Sequence, residues 1–261
     1  MTDELHVTQY ATGSGAGTLV LLHGFPVDHR MWDACAQYID PEWRVLGVDL
    51  PGLGRSAHTL PTDTTMDRSA THVFRAIRAY TSEPVVLAGL SMGGYVAQAA
   101  LNLFSKDIHG LILLDTRSQA DTETAVENRL RIAEQALREG SSAVVLGMAS
   151  ATLSPETVAV RSEIVAYMRG LIESQTPQGI AWSQRAMACR ADSSETLAQW
   201  EKPSLLIVGE DDEISPAEVM ADIAATMPNA RLEKIPHAGH MAPVEQPRAV
   251  AHAINTYLGT L

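Results

Sequence analysis

Residues 84–104 read PVVLAGLSMGGYVAQAALNLF, and this stretch decides the fold. Its first seven residues form a nearly continuous apolar run, which is typical of a strand buried on both faces. The run from Met92 onward has helix-compatible spacing without an internal proline. Between them lies a GxSxG pattern, Gly89 to Gly93, centred on Ser91. A strand that turns sharply into a helix presents such a serine above the sheet, next to free backbone N–H groups. The alternative is an ordinary serine in a glycine-rich turn.

Further apolar runs alternate with helical patterns on both sides of this stretch. The other predicted strands are Thr18 to His23, Trp43 to Asp49, Ile108 to Asp115, Ser204 to Gly209 and Arg231 to Ile235. Helices are predicted over 66–81, 92–104, 216–227 and 245–258. Because buried strands that alternate with helices form parallel sheets, we predict an α/β fold with helices flanking a mostly parallel sheet.

One segment breaks the alternation. Residues 118–200 contain helix formers and no strong strand, so we predict an all-helical lid (cap) insertion there. Its helices are expected over 118–140, ending at Gly140, and over 142–150, 155–174 and 178–190. The catalytic domain would then comprise residues 1–117 and 201–261. An insertion between two parallel strands lies at the strand ends, where ligands bind in this class of fold.

A serine nucleophile needs a base, and His240 is the best candidate. It lies in HAGHMAPVEQP (237–247), a glycine-containing loop after the last predicted strand. His237 precedes it by three residues, but HxxH without a third ligand is weak support for a metal, and we predict none. A surface loop histidine is the alternative for His240.

The base needs an acid to orient it, and this acid is expected between the serine and the histidine in the chain. We choose Asp212, in GEDDEISP (209–216), which follows the strand that ends at Gly209. Asp211 is a close competitor. Asp115 is a third possibility, although a buried acid that anchors the lid hinge is the favoured interpretation there.

The oxyanion of an acyl-transfer reaction needs preorganised donors, which the backbone can supply. We predict the N–H groups of Met92 and of Phe25, the latter in HGFP (23–26). The Phe25 side chain and Trp182 are candidate substrate contacts. Candidate pocket walls from the lid, which are more readily explained as lid core, are Met148, Met168, Trp182 and Met187.

Composition narrows the partners. The net charge is −12, and clustered cations are missing, so nucleic acid and anionic membranes are not expected partners. Cys35 and Cys189 have no metal-site spacing and are predicted to be free buried thiols. GSGAG (13–17) leads into a strand and predicts a turn, and no cofactor is expected. The acidic start, MTDELHVTQY, has no signal-peptide pattern, so we expect a soluble cytoplasmic protein. The oligomeric state is undetermined.

Taken together, five motifs resemble those of the α/β-hydrolase fold superfamily over about Thr18 to Leu261. They are HGFP, DLPGLGRS (49–56), GLSMGG (89–94), GEDDEISP and HAGHMAPVEQP. The resemblance implies Ser91 as nucleophile, His240 as general base and Asp212 as its orienter, with Phe25 and Met92 as oxyanion amides. It also implies that DLPGLGRS shapes the neighbouring loop.

Residues 115–123, DTRSQADTE, are similar to the corresponding stretch of small bacterial carboxylesterases and 3-oxoadipate enol-lactonases. The implied substrate is a small to medium, mainly apolar ester or lactone. A slow or non-catalytic ligand sensor, a C–C hydrolase and a cofactor-free perhydrolase are the alternatives. The superfamily usually has two strands before its HG motif. Here only Leu5 to Tyr10 fits, so the sheet is expected to be one strand short.

Overall fold

A seven-stranded sheet forms the centre of the protein, with the strand order β1-β3-β2-β4-β5-β6-β7. The computed structural model describes residues 4–261. The strands are β1 (Val7–Thr12), β2 (Gly17–Leu22), β3 (Trp43–Val48), β4 (Val85–Leu90), β5 (Ile108–Leu114), β6 (Ser204–Gly209) and β7 (Ala230–Ile235). β1 pairs antiparallel with β3, and every other neighbouring pair is parallel. The predicted mostly parallel sheet is confirmed.

The helices flank this sheet or follow one another between β5 and β6. They are α1 (Asp33–Ala36), α2 (Met66–Ile77), α3 (Met92–Phe104), α4 (Glu123–Glu139), α5 (Met148–Ala151), α6 (Pro155–Val160), α7 (Ser162–Glu173), α8 (Pro177–Ala188), α9 (Ser194–Ala198), α10 (Ala217–Thr226), α11 (Ala242–Glu245) and α12 (Pro247–Leu258). Short 3-10 turns cover His29–Trp32, Gly54–Ser56, Ser105–Asp107 and Ser142–Val145.

The strand register sets the position of the site. Leu22 pairs with Gly89, Leu90 with Leu114, and Leu114 with Ile207. Because these parallel strands end side by side, the segments that follow β2, β4, β5 and β6 meet at one edge of the sheet. This edge of the sheet therefore contains HGFP, Ser91, Asp115 and Asp212.

The cap helices, α4–α9 (residues 123–198), occupy the whole connection from β5 to β6. At its root, Ser193 N–H donates to the Ser118 carbonyl over 2.9 Å, and the two hydroxyls of Ser118 and Ser194 lie 3.0 Å apart. The start and end of the helical connection are thus tied together. That residues 118–200 form a separate lid domain, apart from 1–117 and 201–261, stays a prediction.

Three of the expected helices are interrupted or partly replaced by shorter elements. The helix expected over 155–174 is interrupted at Arg161, which has φ −124° and ψ 62°, outside the helical region. The helix expected over 142–150 is a 3-10 turn followed by the single-turn helix α5. The helix expected over 245–258 is divided at Gln246, because a residue that precedes proline disfavours helical backbone.

The long amphipathic helix of the cap begins later than expected but ends as expected. Thr122 caps α4 by accepting the Ala125 N–H over 3.3 Å, so the stretch 118–121 lies outside the helix. Gly140 ends it in the left-handed conformation, with φ 63°, which favours glycine.

The prediction that both cysteines are buried is wrong for one of them. Cys35 is buried, as predicted, but Cys189 is exposed. Cys189 is the residue at the end of α8, where the chain turns along the surface. Its side chain therefore lies outside the cap core.

Of residues 4–16, which precede β2, only Val7–Thr12 form a strand; this strand, β1, is shifted by two residues from the predicted run of Leu5 to Tyr10. GSGAG forms the turn into β2, as predicted, with positive φ at Gly13, Gly15 and Gly17. Across residues 4–261, no helix is both long and apolar enough to cross a membrane.

Candidate active site

Ser91 occupies the turn between β4 and α3 and has φ 52° and ψ −111°. A positive φ is costly for a residue with a side chain, so neighbouring contacts must hold it. Its N–H donates to the Leu114 carbonyl over 2.9 Å, and its carbonyl accepts the Thr116 hydroxyl over 2.8 Å. The strained turn predicted from the GxSxG pattern is therefore present, braced by β5 and the residues after it.

Glycines make this turn possible. A Cβ atom on Gly89 would lie 2.2 Å from the Gly93 carbonyl oxygen, and one on Gly93 would lie 2.4 Å from the Leu22 carbonyl oxygen. Both distances are far below van der Waals contact, and the obstacles are backbone atoms that cannot turn aside. Only glycine allows the start of α3 to approach the sheet so closely.

Asp212 and His240 are brought together. Nδ1 of His240 donates to Oδ2 of Asp212 over 2.8 Å, and both side chains are buried. The other carboxylate oxygen, Oδ1, accepts the N–H groups of Ile214 and Ser215, at 2.8 and 3.0 Å. Since Nδ1 carries the hydrogen, a neutral His240 has its free lone pair on Nε2. This is the tautomer that a general base requires.

These contacts also explain the ionisation of Asp212. Burial acts to raise the pKa of this carboxyl, but the hydrogen bond and charge of His240 and the two backbone N–H groups outweigh it and lower the pKa. Asp212 is therefore a carboxylate at neutral pH.

The two competing acids occupy different environments. Asp211 is exposed, and its backbone N–H donates to the Ala238 carbonyl over 2.9 Å. Asp115 is fully buried, with φ 46°, and its Oδ1 accepts the Gly209 N–H over 2.8 Å. Its Oδ2 has no hydrogen-bond partner in the part of the chain that the structure describes.

Burial also changes the ionisation of Asp115. Loss of solvent and the nearby charge of Asp212 raise the pKa of Asp115 well above its usual value. Because this shift favours the uncharged form of Asp115, and an imidazolium ion is stabilised by a carboxylate, the electrostatics favour Asp212 over Asp115 as the orienting acid. The interpretation of Asp115 as a buried structural acid agrees with its bond to the end of β6.

HGFP lies directly against the serine turn. A Cβ atom on Gly24 would lie 3.6 Å from the Ser91 Cβ, so the backbone leading into Phe25 passes beside the serine. His23 fixes this loop: its Nε2 accepts the Leu50 N–H over 2.9 Å, and its Nδ1 then donates to the Gly24 carbonyl over 2.8 Å. Burial lowers the pKa of His23, consistent with a neutral ring. The Phe25–Pro26 peptide bond is cis.

Met92 is the first residue of α3, where the backbone N–H has no partner within the helix. Its side chain and that of Phe25 are buried. The two amides predicted to face an oxyanion therefore belong to segments on either side of Ser91. Their function as oxyanion donors stays a prediction.

Asp28, His29 and Asp49 bring three potential metal-ligand atoms within 4.8 Å of one another. Their hydrogen bonds already account for this grouping. Asp49 Oδ1 accepts His29 Nδ1 over 2.7 Å and Oδ2 accepts the Arg55 N–H over 2.9 Å, while Asp28 pairs with Arg30 at 2.6 Å. The cluster braces DLPGLGRS, the loop expected from the sequence to be held in this way.

A cavity of about 420 Å³ adjoins His240. The cap contributes an apolar wall that includes Leu153, Pro155 and Val158, and the loop after β6 contributes Asp211 and Glu213. Nε of Arg117 donates to the Ile214 carbonyl over 3.2 Å. Its guanidinium therefore braces the turn that contains Asp212.

Trp182 does not line this cavity. The Trp182 ring is buried, and its Nε1–H donates to the Pro61 carbonyl over 2.8 Å. This bond joins α8 of the cap to the segment between β3 and α2. Met168 and Met187 are buried in the cap and Met148 partly so, as expected of lid core. Substrate contact by Phe25 or Trp182 stays a prediction.

Comparison with known proteins identifies the family to which this fold belongs. Residues 19–253 match the model of the alpha/beta hydrolase family. A thermophilic esterase from Thermogutta terrifontis, solved with malate bound, is 37% identical, with a TM-score of 0.93 over 98% of this chain and 93% of that one. A hydrolase from Pseudomonas aeruginosa PA01 is 27% identical, with a TM-score of 0.86 and the same coverage of 98% and 93%.

An enol-lactonase from Burkholderia xenovorans LB400 shares the fold, with 21% identity, a TM-score of 0.87 and coverage of 98% and 96%. The family match spans far more than half of the chain and includes the positions of Ser91, Asp212 and His240. The chain belongs to the alpha/beta hydrolase family.

Proposed function

We propose that this protein is a carboxylic ester hydrolase that works through an acyl-enzyme on Ser91. Family membership and the 37% identical esterase support hydrolase activity. The observation that carries the finer proposal is the buried His240–Asp212 hydrogen bond of 2.8 Å, at the sheet edge that also holds the strained Ser91 turn. That arrangement supports a base in the correct tautomer at the same edge as the half-buried Ser91.

In the proposed reaction, Oγ of Ser91 attacks the ester carbonyl carbon while Nε2 of His240 takes the hydroxyl proton. Asp212 stabilises the imidazolium ion that forms. His240 then protonates the leaving alkoxide as the C–O bond breaks. Water, deprotonated by His240, attacks the acyl carbon of the acyl-enzyme. The bond from this carbon to Oγ of Ser91 then breaks, and His240 returns the proton to Oγ, which releases the acid and restores the serine hydroxyl.

The tetrahedral intermediate carries a negative charge on the former carbonyl oxygen. The Met92 and Phe25 N–H groups are the proposed donors to it. The positive end of the α3 dipole adds to this stabilisation. The close approach of Gly24 to Ser91 supports this assignment, because it places the start of HGFP beside the nucleophile.

For the substrate, we propose a small to medium ester or lactone with an apolar, uncharged group. The cavity next to His240 is lined by apolar side chains of the cap and by two acidic residues of the loop after β6, Asp211 and Glu213. These carboxylates would repel a carboxylate-bearing substrate. The net charge of −12 acts in the same direction.

A series of p-nitrophenyl esters of rising acyl length tests this function. We expect rapid turnover of the neutral esters, a maximum at short or medium acyl length, and much slower turnover of mono-p-nitrophenyl succinate. Ser91→Ala should abolish turnover.

Covalent labelling by a serine-directed phosphonate without turnover of any ester would instead indicate the ligand sensor. Turnover that survives Ser91→Ala would contradict the proposal.

A further inference from the structure

Glu245 is a buried carboxylate within HAGHMAPVEQP, to which the sequence assigned no function. It lies at the end of α11 and is 1% exposed. Oε1 accepts the Gly239 N–H over 2.7 Å, and Oε2 accepts the Ser154 N–H over 2.8 Å. One carboxylate thus joins the residue before His240 to the cap.

The cap backbone is in direct contact with the histidine loop at this point. A Cβ atom on Gly239 would lie 2.6 Å from the Ser154 nitrogen and 2.7 Å from the Leu153 carbonyl carbon. On the other side of His240, the Met241 N–H donates to the Thr152 carbonyl over 3.2 Å. Residues 152–154 therefore contact the backbone both before and after the histidine.

The histidine loop is also in close contact with the end of β6. A Cβ atom on Gly209, at the end of β6, would lie 2.1 Å from the Gly239 carbonyl oxygen. The Arg161 guanidinium donates to the Glu245 carbonyl over 2.7 Å and so attaches the break between α6 and α7 to the same residue. Gly239 is therefore held between the sheet edge and the cap, with Glu245 as the shared acceptor.

We propose that Glu245 is a positioning residue that sets the backbone of His240 and couples it to residues 152–154 of the cap. This inference rests on the proposed function of His240 as the general base. It assigns the cap segment a part in aligning the base, in addition to covering the site. The alignment acts through two backbone N–H groups, so the carboxylate itself does not touch the reacting atoms.

Substitutions at Glu245 separate this function from simple packing. A carboxylate offers acceptors to both N–H groups, whereas the amide of Glu245→Gln offers one oxygen and turns a second donor toward the other N–H. Glu245→Asp keeps the charge but is too short to reach both partners. Glu218→Gln, an exposed position on α10, removes the same charge without touching the site.

We expect Glu245→Gln to lower kcat for p-nitrophenyl butyrate by roughly 10- to 100-fold with KM nearly unchanged, because small misplacements of a catalytic group cost rates of this order. Labelling of Ser91 by a phosphonate should slow by the same factor. Glu245→Asp should show the same pattern, and Glu218→Gln should match the wild type. Wild-type kcat in folded Glu245→Gln would overturn the inference.

A measurement on the wild-type protein keeps the inference testable if the variants do not fold. Hydrogen exchange should find the Gly239 and Ser154 amides strongly protected, since both are buried donors to one carboxylate. Rapid exchange at either amide would overturn the inference. Activity that survives Ser91→Ala would instead refute the proposed function, so the two failures are distinguishable.

Discussion

His240 and Asp212 are joined by a hydrogen bond of 2.8 Å between Nδ1 and Oδ2, while the second oxygen of Asp212 is held by two backbone N–H groups. The carboxylate thus has a fixed orientation before any substrate binds. Because the fixed carboxylate accepts the hydrogen on Nδ1, the loop after β6 determines the tautomer of His240.

Asp212→Asn should destroy that tautomer. Its amide oxygen would stay with the N–H groups of Ile214 and Ser215, and its NH₂ would face Nδ1 of His240, so the ring hydrogen moves to Nε2. We expect kcat for a neutral ester to fall roughly 10⁴-fold.

Asp211→Asn is the matched control, since Asp211 is exposed and adjacent. It should keep kcat near the wild-type value. A large loss in Asp211→Asn with little loss in Asp212→Asn would show that the acid was assigned wrongly.

Asp115→Asn should keep activity, because burial favours the uncharged form of Asp115 and asparagine retains the oxygen that accepts the Gly209 N–H. The folded-state pKa of Asp115 is raised above its unfolded value. Above the unfolded pKa, the unfolded chain releases this proton and the folded chain keeps it, so the wild type loses stability as pH rises toward the folded pKa.

The measurement is thermal unfolding of both proteins between pH 4 and pH 8. The melting temperature of Asp115→Asn should fall less across this range than that of the wild type. Parallel curves would contradict the assignment of a protonated Asp115, and a large loss of kcat would favour Asp115 as the orienting acid.

Asp28 should contribute to stability in the opposite pH direction. Burial acts to raise its pKa, but its hydrogen bonds with Arg30 and Gln175 outweigh this and lower the pKa of Asp28 to about 2. The stabilisation is present above the unfolded pKa and is lost as pH falls toward 2. Asp28→Asn should therefore lower the free energy of unfolding at neutral pH by about 2 kcal/mol.

Denaturant unfolding at pH 7 and pH 3 checks this prediction, with Asp63→Asn as the control. Asp63 pairs with Arg68 on the surface, and exposed pairs contribute about 0–1 kcal/mol. An equal effect of the two substitutions at pH 7 would refute the special contribution of Asp28.

The two cysteines should differ in reactivity. Burial raises the pKa of the Cys35 thiol to about 12, whereas Cys189 is exposed. Native protein should react with one equivalent of Ellman's reagent, and denatured protein with two. Cys189→Ala should remove the native reaction, and reaction of Cys35 in the folded protein would contradict the structure.

The parts of this fold that the sequence predicted well are those that short segments encode. The apolar run of β4, the GxSxG pattern and the glycines at 89 and 93 determine the serine turn locally, because the strained backbone needs small neighbours. The choice of Asp212 followed from its place after β6. The mostly parallel sheet and the run of helices between β5 and β6 were predicted from the alternation of elements, whereas the strand order was not.

Other features depend on contacts between distant positions. The Ser154–Glu245 bond joins residues 91 positions apart, and nothing near Glu245 in the sequence indicates that the Ser154 N–H is its second donor. The interruption at Arg161 coincides with its bond to the Glu245 carbonyl. The raised pKa of Asp115 results partly from the nearby charge of Asp212, and a motif search cannot show that the two residues are close.

The central claim is that Ser91 is a nucleophile activated by His240. Incubation with a fluorophosphonate, followed by peptide mass spectrometry, tests it most directly. We predict one adduct, on the peptide that contains Ser91, with its rate of formation strongly reduced in His240→Ala and no adduct in Ser91→Ala. An adduct on another serine, or labelling of Ser91 at an unchanged rate in His240→Ala, would contradict the account.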